Sequence, residues 1–283
     1  MDNYKQTLPR YESMKYRRCG QSGLLLPEIS LGFWHNFGAD ASKDNCREIV
    51  ECAFDNGITY FDLSNNYGPP CGAAESLFGE IFWSSLDAHR DEVVIATKAG
   101  HDMWPGPYGE WGSRKTIIAS IDQSLKRMKL DYVDIFYSHR PDPLTPIEET
   151  MQAFVDVVRQ GKALYVGLSK YPPEMAAKAY AYLREQHVPC LVYQGRYNMI
   201  DRNVESEILP QAEAAGAGFV AFSPLAQGLL TGKYQHGIPE GSRMTHSGFL
   251  KPDVLTPELL DQIAVWGKEA EAEGITLAQY ALR

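Results

Sequence analysis

Seven short runs of β-branched and aromatic residues recur along the chain, separated by stretches with helical periodicity. The runs are EISLGFW (28–34), ITYFDL (58–63), VVIATK (93–98), VDIFYS (133–138), LYVGL (164–168), CLVYQ (190–194) and GFVAFS (218–223), starting roughly 25 to 40 residues apart. SKDNCREIVECAFDNG, TIIASIDQSLKRMKL, PIEETMQAFVDVVRQGK and PPEMAAKAYAYLREQH read as amphipathic helices, the first with Ser42 or Asp44 as N-cap and Gly57 at its stop. Parallel neighbours need a long crossover, and a helix supplies it, so the alternation dictates an α/β fold with a parallel sheet. The expectation is a (β/α)8 TIM barrel forming a single domain over residues 1–283. A doubly wound sheet is the competing architecture; it is disfavoured because no G-x-G-x-x-G occurs and GLLTGKY (228–234) lacks the P-loop spacing.

Ahead of the first unit, MKYRRCGQSGLLLPEIS reads as two strands about a Gly20–Gly23 turn, a hairpin suited to plug the bottom of the barrel. After Ser223 come a glycine-rich loop, a helix near 257–273 and a helical start at TLAQYALR, with no eighth strand pattern. The barrel is therefore expected to be truncated before its eighth strand.

Composition narrows the function classes. A net charge of −9, with KYRRCG as a single short basic turn, argues against nucleic-acid binding. No apolar stretch has the length of a membrane span and the polar opening is unlike a signal peptide, so the expected compartment is the cytoplasm. The five cysteines are scattered without paired Cys or His spacing, so neither a metal site nor a disulfide framework is expected.

Parallel barrels assemble their active sites at the C-terminal ends of the strands. Those ends carry Trp34 and His35, Asp62 and Tyr67, Lys98, His139, Ser169, Gln194, and Phe222 with Ser223. Singly, each polar member also fits a bland role: Asp62 a strand-end cap, Lys98 a snorkelling cation, Tyr67 a packed turn residue, His139 a satisfied core histidine. Together, an Asp, a Tyr, a Lys and a His on three consecutive strand ends suit proton transfer to a carbonyl oxygen. An ammonium near Tyr67 lowers the phenol pKa from about 10; an adjacent carboxylate keeps a buried lysine charged; an imidazole orients the oxygen. A Schiff-base lyase built on Lys98 is a separate reading of the same lysine.

FDLSNNYG, VVIATKAG, DIFYSHRP, GKALYVGLSKY, YQGRYNMIDR and FSPLAQGLLTGKY, in this order from about residue 15 onward, resemble the aldo-keto reductases. WHNFG, NNYGPPCGAAE and AGHDMWPGPYG are most similar to the branch of bacterial glyceraldehyde-phosphate and methylglyoxal reductases, itself similar to potassium-channel β subunits. The resemblance implies a catalytic tetrad of Asp62, Tyr67, Lys98 and His139, with Tyr67 as proton donor in the reduction of a small aldehyde or ketone. It implies NADP(H) bound without a Rossmann motif: the carboxamide on Ser169 and Gln194, the nicotinamide ring on Phe222, and the phosphates on Ser223, Leu225, Gln227, Gly228, Lys233 and Arg243. Trp34, His35, Trp104 and Tyr108 are the candidate walls of the substrate mouth.

The sequence departs from the wider family in two places. Lys170 follows Ser169 where much of the family has asparagine, and the segment that holds the adenosine in the family has no counterpart. The branch implies assembly into homo-oligomers, and its channel-β kinship supplies an alternative function, a catalytically weak regulatory subunit that senses the cofactor.

Overall fold

The computed structural model describes residues 10–246 and 248–283. Two compact units are present: one comprises the chain up to Gln194 together with 207–219, the other comprises 195–206 and 220–283. The elements in chain order are α1 (Arg10–Ser13), β1 (Tyr16–Arg18), β2 (Leu25–Pro27), β3 (Leu31–Gly32), α2 (Lys43–Asp55), β4 (Tyr60–Asp62), α3 (Ala73–Ile81), β5 (Val94–Ala99), α4 (Arg114–Met128), β6 (Val133–Ser138), α5 (Ile147–Arg159), β7 (Ala163–Ser169), α6 (Pro173–Glu185), β8 (Cys190–Arg196), α7 (Ile208–Ala215), β9 (Gly218–Phe222), α8 (Arg243–His246), α9 (Pro257–Ala272) and α10 (Leu277–Leu282).

Strands β3 to β9 form one seven-stranded sheet in sequential order, with parallel pairing from β3 through β8. Sequential parallel strands joined by helices are the connectivity of the (β/α) barrel that the strand and helix periods indicate. Every residue of β5 and β6 is buried, as expected of strands covered on both faces. Their buried polar groups are accordingly paired, on the barrel side and on the helix side alike. The Tyr60 and Tyr137 hydroxyls lie 2.7 Å apart, Thr97 donates to Glu75 at 2.5 Å, and Arg127 Nε donates to the same carboxylate at 2.7 Å. Gly167 on β7 leaves room for Tyr137, because a Cβ there would stand 2.4 Å from its ring.

The helices start where side chains satisfy their first amides. Ser42 caps α2 through Asn45 N, Ser113 caps α4 through Thr116 N, and Thr256 caps α9 through Leu259 N. In α2 the side chains of Cys46, Val50, Ala53 and Phe54, one stripe at helical spacing, are buried.

The hairpin of β1 and β2 is antiparallel and sits at the N-terminal ends of the later strands. Gln21 N donates to Gly216 O at 2.9 Å, and the Cys19 thiol donates to Leu191 O at 3.5 Å. The expected plug is thus present, at the end of the sheet opposite the tetrad.

The first sheet strand is shorter than the apolar run predicts. Only Leu31 and Gly32 pair as strand residues, after which the Phe33 and Phe37 rings turn together at 4.2 Å and the backbone swings through a positive φ of 69° at Asn36. Helices α3 and α7 have no counterpart in the sequence reading; α7 is short and carries Pro210 in its first turn, which interrupts the periodic signal. The second unit has its own core, in which Leu229, Leu230, Tyr234, Met244, Leu250, Ile263 and Leu277 cluster. Among the described residues no helix is long and apolar enough to cross a membrane.

Candidate active site

Asp62 ends β4, and Lys98 lies on the adjacent strand β5, whose Ala96 pairs with Asp62. The lysine is fully buried, and each hydrogen of its ammonium has an acceptor: Asp62 Oδ2 at 2.7 Å, Leu63 O at 2.7 Å and Tyr67 Oη at 3.4 Å. The other Asp62 oxygen accepts from Gln194 Nε2 at 3.0 Å and from the Tyr60 hydroxyl at 3.4 Å. Burial opposes the charge on Lys98, but Asp62 and Tyr67 outweigh it and the ammonium is held above its ordinary pKa. A lysine kept protonated has no free amine lone pair, which disfavours the Schiff-base reading.

Tyr67 is carried by the loop after β4. Asn65 N donates to Lys98 O at 3.1 Å, Tyr67 N donates to Ser64 O at 3.1 Å, and Ala74 N closes the loop on Tyr67 O at 3.2 Å. Gly68 is required for the tight path that follows, since a Cβ would stand 1.9 Å from Pro70 O. The Tyr67 ring is buried and meets His139 edge-on, with centroids 5.8 Å apart.

The balance at this phenol corrects the expectation of a lowered pKa. Burial pushes it up; the Lys98 ammonium pulls it down by a smaller amount, and the Asp62 carboxylate adds to the rise. The net direction is upward, so Tyr67 is a phenol at neutral pH, the form that can give a proton. Lys98 acts as expected in sign, and the burial that the strand-end position entails outweighs it.

His139 follows β6, its amide bonded to Ala99 O at 2.9 Å. Its Nδ1 lies 3.0 Å from Ser64 Oγ. Burial and then the cations Lys98 and Lys170, with His101 and Arg140, hold the imidazole well below its ordinary pKa, so the ring is neutral. His101, absent from the sequence-derived set, packs T-shaped on it at 4.5 Å and is pushed down to about 4 by burial and by Lys170 and Arg140. Arg140 in turn donates to Gly100 O at 2.9 Å, pairs with Glu110 and lies 3.7 Å over the Trp111 ring. The signal that could have found His101 is its position three residues after Lys98, in the loop leaving the same strand end.

Of the candidate cofactor residues, Ser169 and Gln194 are opposite each other at the ends of β7 and β8. The Ser169 hydroxyl is buried with no hydrogen-bond partner among the described residues, the condition of a group awaiting a polar ligand atom. Gln194 is turned to Asp62, a brace that its sequence position did not show. In the second unit, the Phe222 ring has Arg196 at 5.9 Å, and Asn198 Nδ2 donates to Ser223 O at 3.0 Å. The backbone then takes positive φ at Ser223, Ala226, Gln227 and Gly228, left-handed conformations of the kind from which anion-binding turns are built. Leu225 O closes this turn by accepting from Gly228 N at 2.9 Å, and Gln227 Oε1 is buried without a partner among the described residues. Lys233 is exposed beyond the turn, and Arg243 opens α8. Within the first unit the orphaned Ser169 hydroxyl suits a polar ligand atom, and within the second unit the turn, with Lys233 and Arg243, suits anionic oxygens.

The substrate candidates divide. Trp34 and His35 are half-buried, their rings 4.0 Å apart in the loop after β3. Trp104 and Tyr108 share a loop closed by Met103 N on Gly109 O at 2.9 Å. Tyr108 is 53% exposed with Lys115 at 5.3 Å from its ring, on the first turn of α4.

The hydrogen-bonded chain of Asp62, Lys98 and Tyr67 beside a neutral histidine, at the ends of sequential parallel strands, coincides with a match to the aldo/keto reductase family over residues 28–283. The chain belongs to the aldo/keto reductase family. This aldo/keto reductase is 53% identical over 278 residues to the L-glyceraldehyde 3-phosphate reductase of Escherichia coli K12, an alignment covering 96% of this chain and 80% of the relative. It is 38% identical over 276 residues to a probable voltage-gated potassium channel subunit beta of Arabidopsis thaliana, covering 95% and 82%. A putative channel subunit beta of Schizosaccharomyces pombe is 36% identical over 282 residues, covering 96% and 80%. The protein is an oxidoreductase of aldehydes or ketones, and the family generally works with NAD(P)H.

Proposed function

We propose that this aldo/keto reductase uses NADPH to reduce small aldehydes of the glyceraldehyde 3-phosphate or methylglyoxal type, with Tyr67 giving the proton to the carbonyl oxygen. The observation that carries this reading is the fully buried Lys98 ammonium, fixed by Asp62 at 2.7 Å and directed at the Tyr67 phenol at 3.4 Å. The identity of 53% to a relative named for glyceraldehyde 3-phosphate reduction supports the substrate class.

The cofactor, when bound, supplies a hydride to the carbonyl carbon. The protein's part is to hold and protonate. Tyr67 is kept as the phenol by burial and gives its proton to the oxygen as negative charge develops there; the adjacent Lys98 ammonium stabilises the phenolate left behind. Asp62 keeps Lys98 charged throughout. Neutral His139 orients the carbonyl oxygen. The first unit offers the buried Ser169 hydroxyl and the Gln194 amide to a carboxamide, and the second unit offers Phe222 to a flat ring and the turn from Ser223 to Gly228, with Lys233 and Arg243, to phosphates.

Identity of 38% and 36% to proteins named as channel β subunits supports a second reading, a regulatory subunit with weak turnover. Steady-state NADPH absorbance with glyceraldehyde 3-phosphate and methylglyoxal separates the two: consumption of cofactor supports the reductase, and binding without turnover over a broad aldehyde panel supports the regulatory subunit. Tyr67→Phe is expected to lower turnover by about 10² to 10⁴-fold while leaving NADPH affinity unchanged. Retained turnover in that variant rejects Tyr67 as the donor.

A further inference from the structure

We propose that Ser64 is a positioning residue that fixes the tautomer of His139, donating to Nδ1 so that Nε2 carries the ring hydrogen and serves as donor to the substrate oxygen. This rests on the carbonyl-reduction reading above.

Ser64 is fully buried, and its single hydroxyl lies between three groups: Asn66 Oδ1, the amide atom placed toward it, at 2.7 Å, His139 Nδ1 at 3.0 Å and Lys98 O at 3.3 Å. A hydroxyl has one hydrogen to give, and a neutral imidazole has one nitrogen bearing hydrogen, so the two choices are coupled. If Ser64 gives its hydrogen to a carbonyl oxygen of Asn66, then Nδ1 must hold the ring hydrogen and donate to Ser64. Nε2 is then bare, and its lone pair faces the lone pairs of a carbonyl oxygen. If the Asn66 amide is turned half a rotation, its NH2 donates to Ser64, Ser64 donates to Nδ1, and Nε2–H is left for the substrate. The two amide orientations occupy the same heavy-atom positions.

Two observations permit the second arrangement, and the need for a donor at the substrate oxygen selects it. Lys98 O already accepts from Asn65 N at 3.1 Å and does not depend on the Ser64 hydrogen. Asn66 is only partly buried, so its amide can turn without disturbing the core. The neutral ring required by the coupling is the state that burial and the surrounding cations impose on His139. Carbonyl reduction needs a donor at the oxygen, and the Asn66–Ser64–His139 chain supplies one without a charge.

Long-range 1H–15N correlation spectra of the cofactor-free protein, labelled at histidine nitrogens and assigned with His139→Asn, read the tautomer directly. The expected wild-type result is a bare, hydrogen-bonded Nδ1 and a protonated Nε2. Ser64→Ala should move the population toward Nδ1–H and lower kcat on the order of tenfold or more with unchanged NADPH affinity, while Ser64→Thr restores both. Asn66→Leu, which leaves the buried hydroxyl in place, should produce a smaller shift in the same direction. A wild-type Nδ1–H tautomer, or an unchanged tautomer in Ser64→Ala, overturns the assignment. A wild type that holds Nε2–H yet reduces no aldehyde upholds the role of Ser64 in the tautomer and rejects the reductase reading instead.

Discussion

The ammonium of Lys98 is joined to the carboxylate of Asp62 at 2.7 Å, with 0% of the lysine side chain and 13% of the aspartate side chain exposed. In so little water, neither charge is stable without the other.

Replacing Asp62 by Asn therefore leaves a buried cation without its counter-charge. Removal of one partner from a buried pair costs about 3 to 5 kcal/mol. The expected outcome is a loss on that scale in urea unfolding at neutral pH, with Lys98 falling below its ordinary pKa as burial takes over. A loss smaller than about 0.5 kcal/mol, the range of an ordinary surface change, would contradict the pairing.

Alkaline pH tests the phenol. Reduction needs Tyr67 protonated, and its folded-state pKa is raised, chiefly by burial. The rate of reduction should hold through the ordinary tyrosine value of about 10 and fall only above it. Stability follows the same sign: a group raised on folding contributes below its unfolded pKa, and that contribution is lost as pH rises from about 10 through the folded value. Tyr60, Tyr137, Tyr171 and Tyr193 are raised as well, so unfolding should be accompanied by release of several protons in this window. Rate profiles recorded with circular dichroism on the same samples check both points; a rate that drops below pH 9 in folded protein would reverse the sign assigned to Tyr67.

Gly167→Ala places a methyl group 2.4 Å from the Tyr137 ring. Overpacking of this kind costs about 1 to 3 kcal/mol. The displaced ring carries the hydroxyl that meets Tyr60, whose own hydroxyl reaches Asp62, so thermal stability and turnover should decline together. An unchanged melting temperature would show that β7 can yield there.

The meeting of Asp62, Lys98 and His139 was legible because strand periodicity marks where each β run stops, and Tyr67 follows in the loop after β4. The sheet order was legible for the same reason. The direction of the Tyr67 pKa was not, because it depends on how completely the loop closes over the ring. Gln194 bracing Asp62, Ser64 reaching His139 and His101 packing on it all join residues from different strand ends. Such contacts are fixed by sheet register and side-chain direction, which a linear period does not carry. The β3 strand was overread because an apolar run can continue inward as packed rings after its backbone pairing stops.

The hairpin at the foot of the sheet has a further consequence for the order in which the molecule is made. Cys19 leaves the ribosome well before its partner Leu191, which is 172 residues further along the chain. The hairpin therefore has to wait for one of the later strands before it can dock, and until then its apolar side is left to solvent or to chaperones.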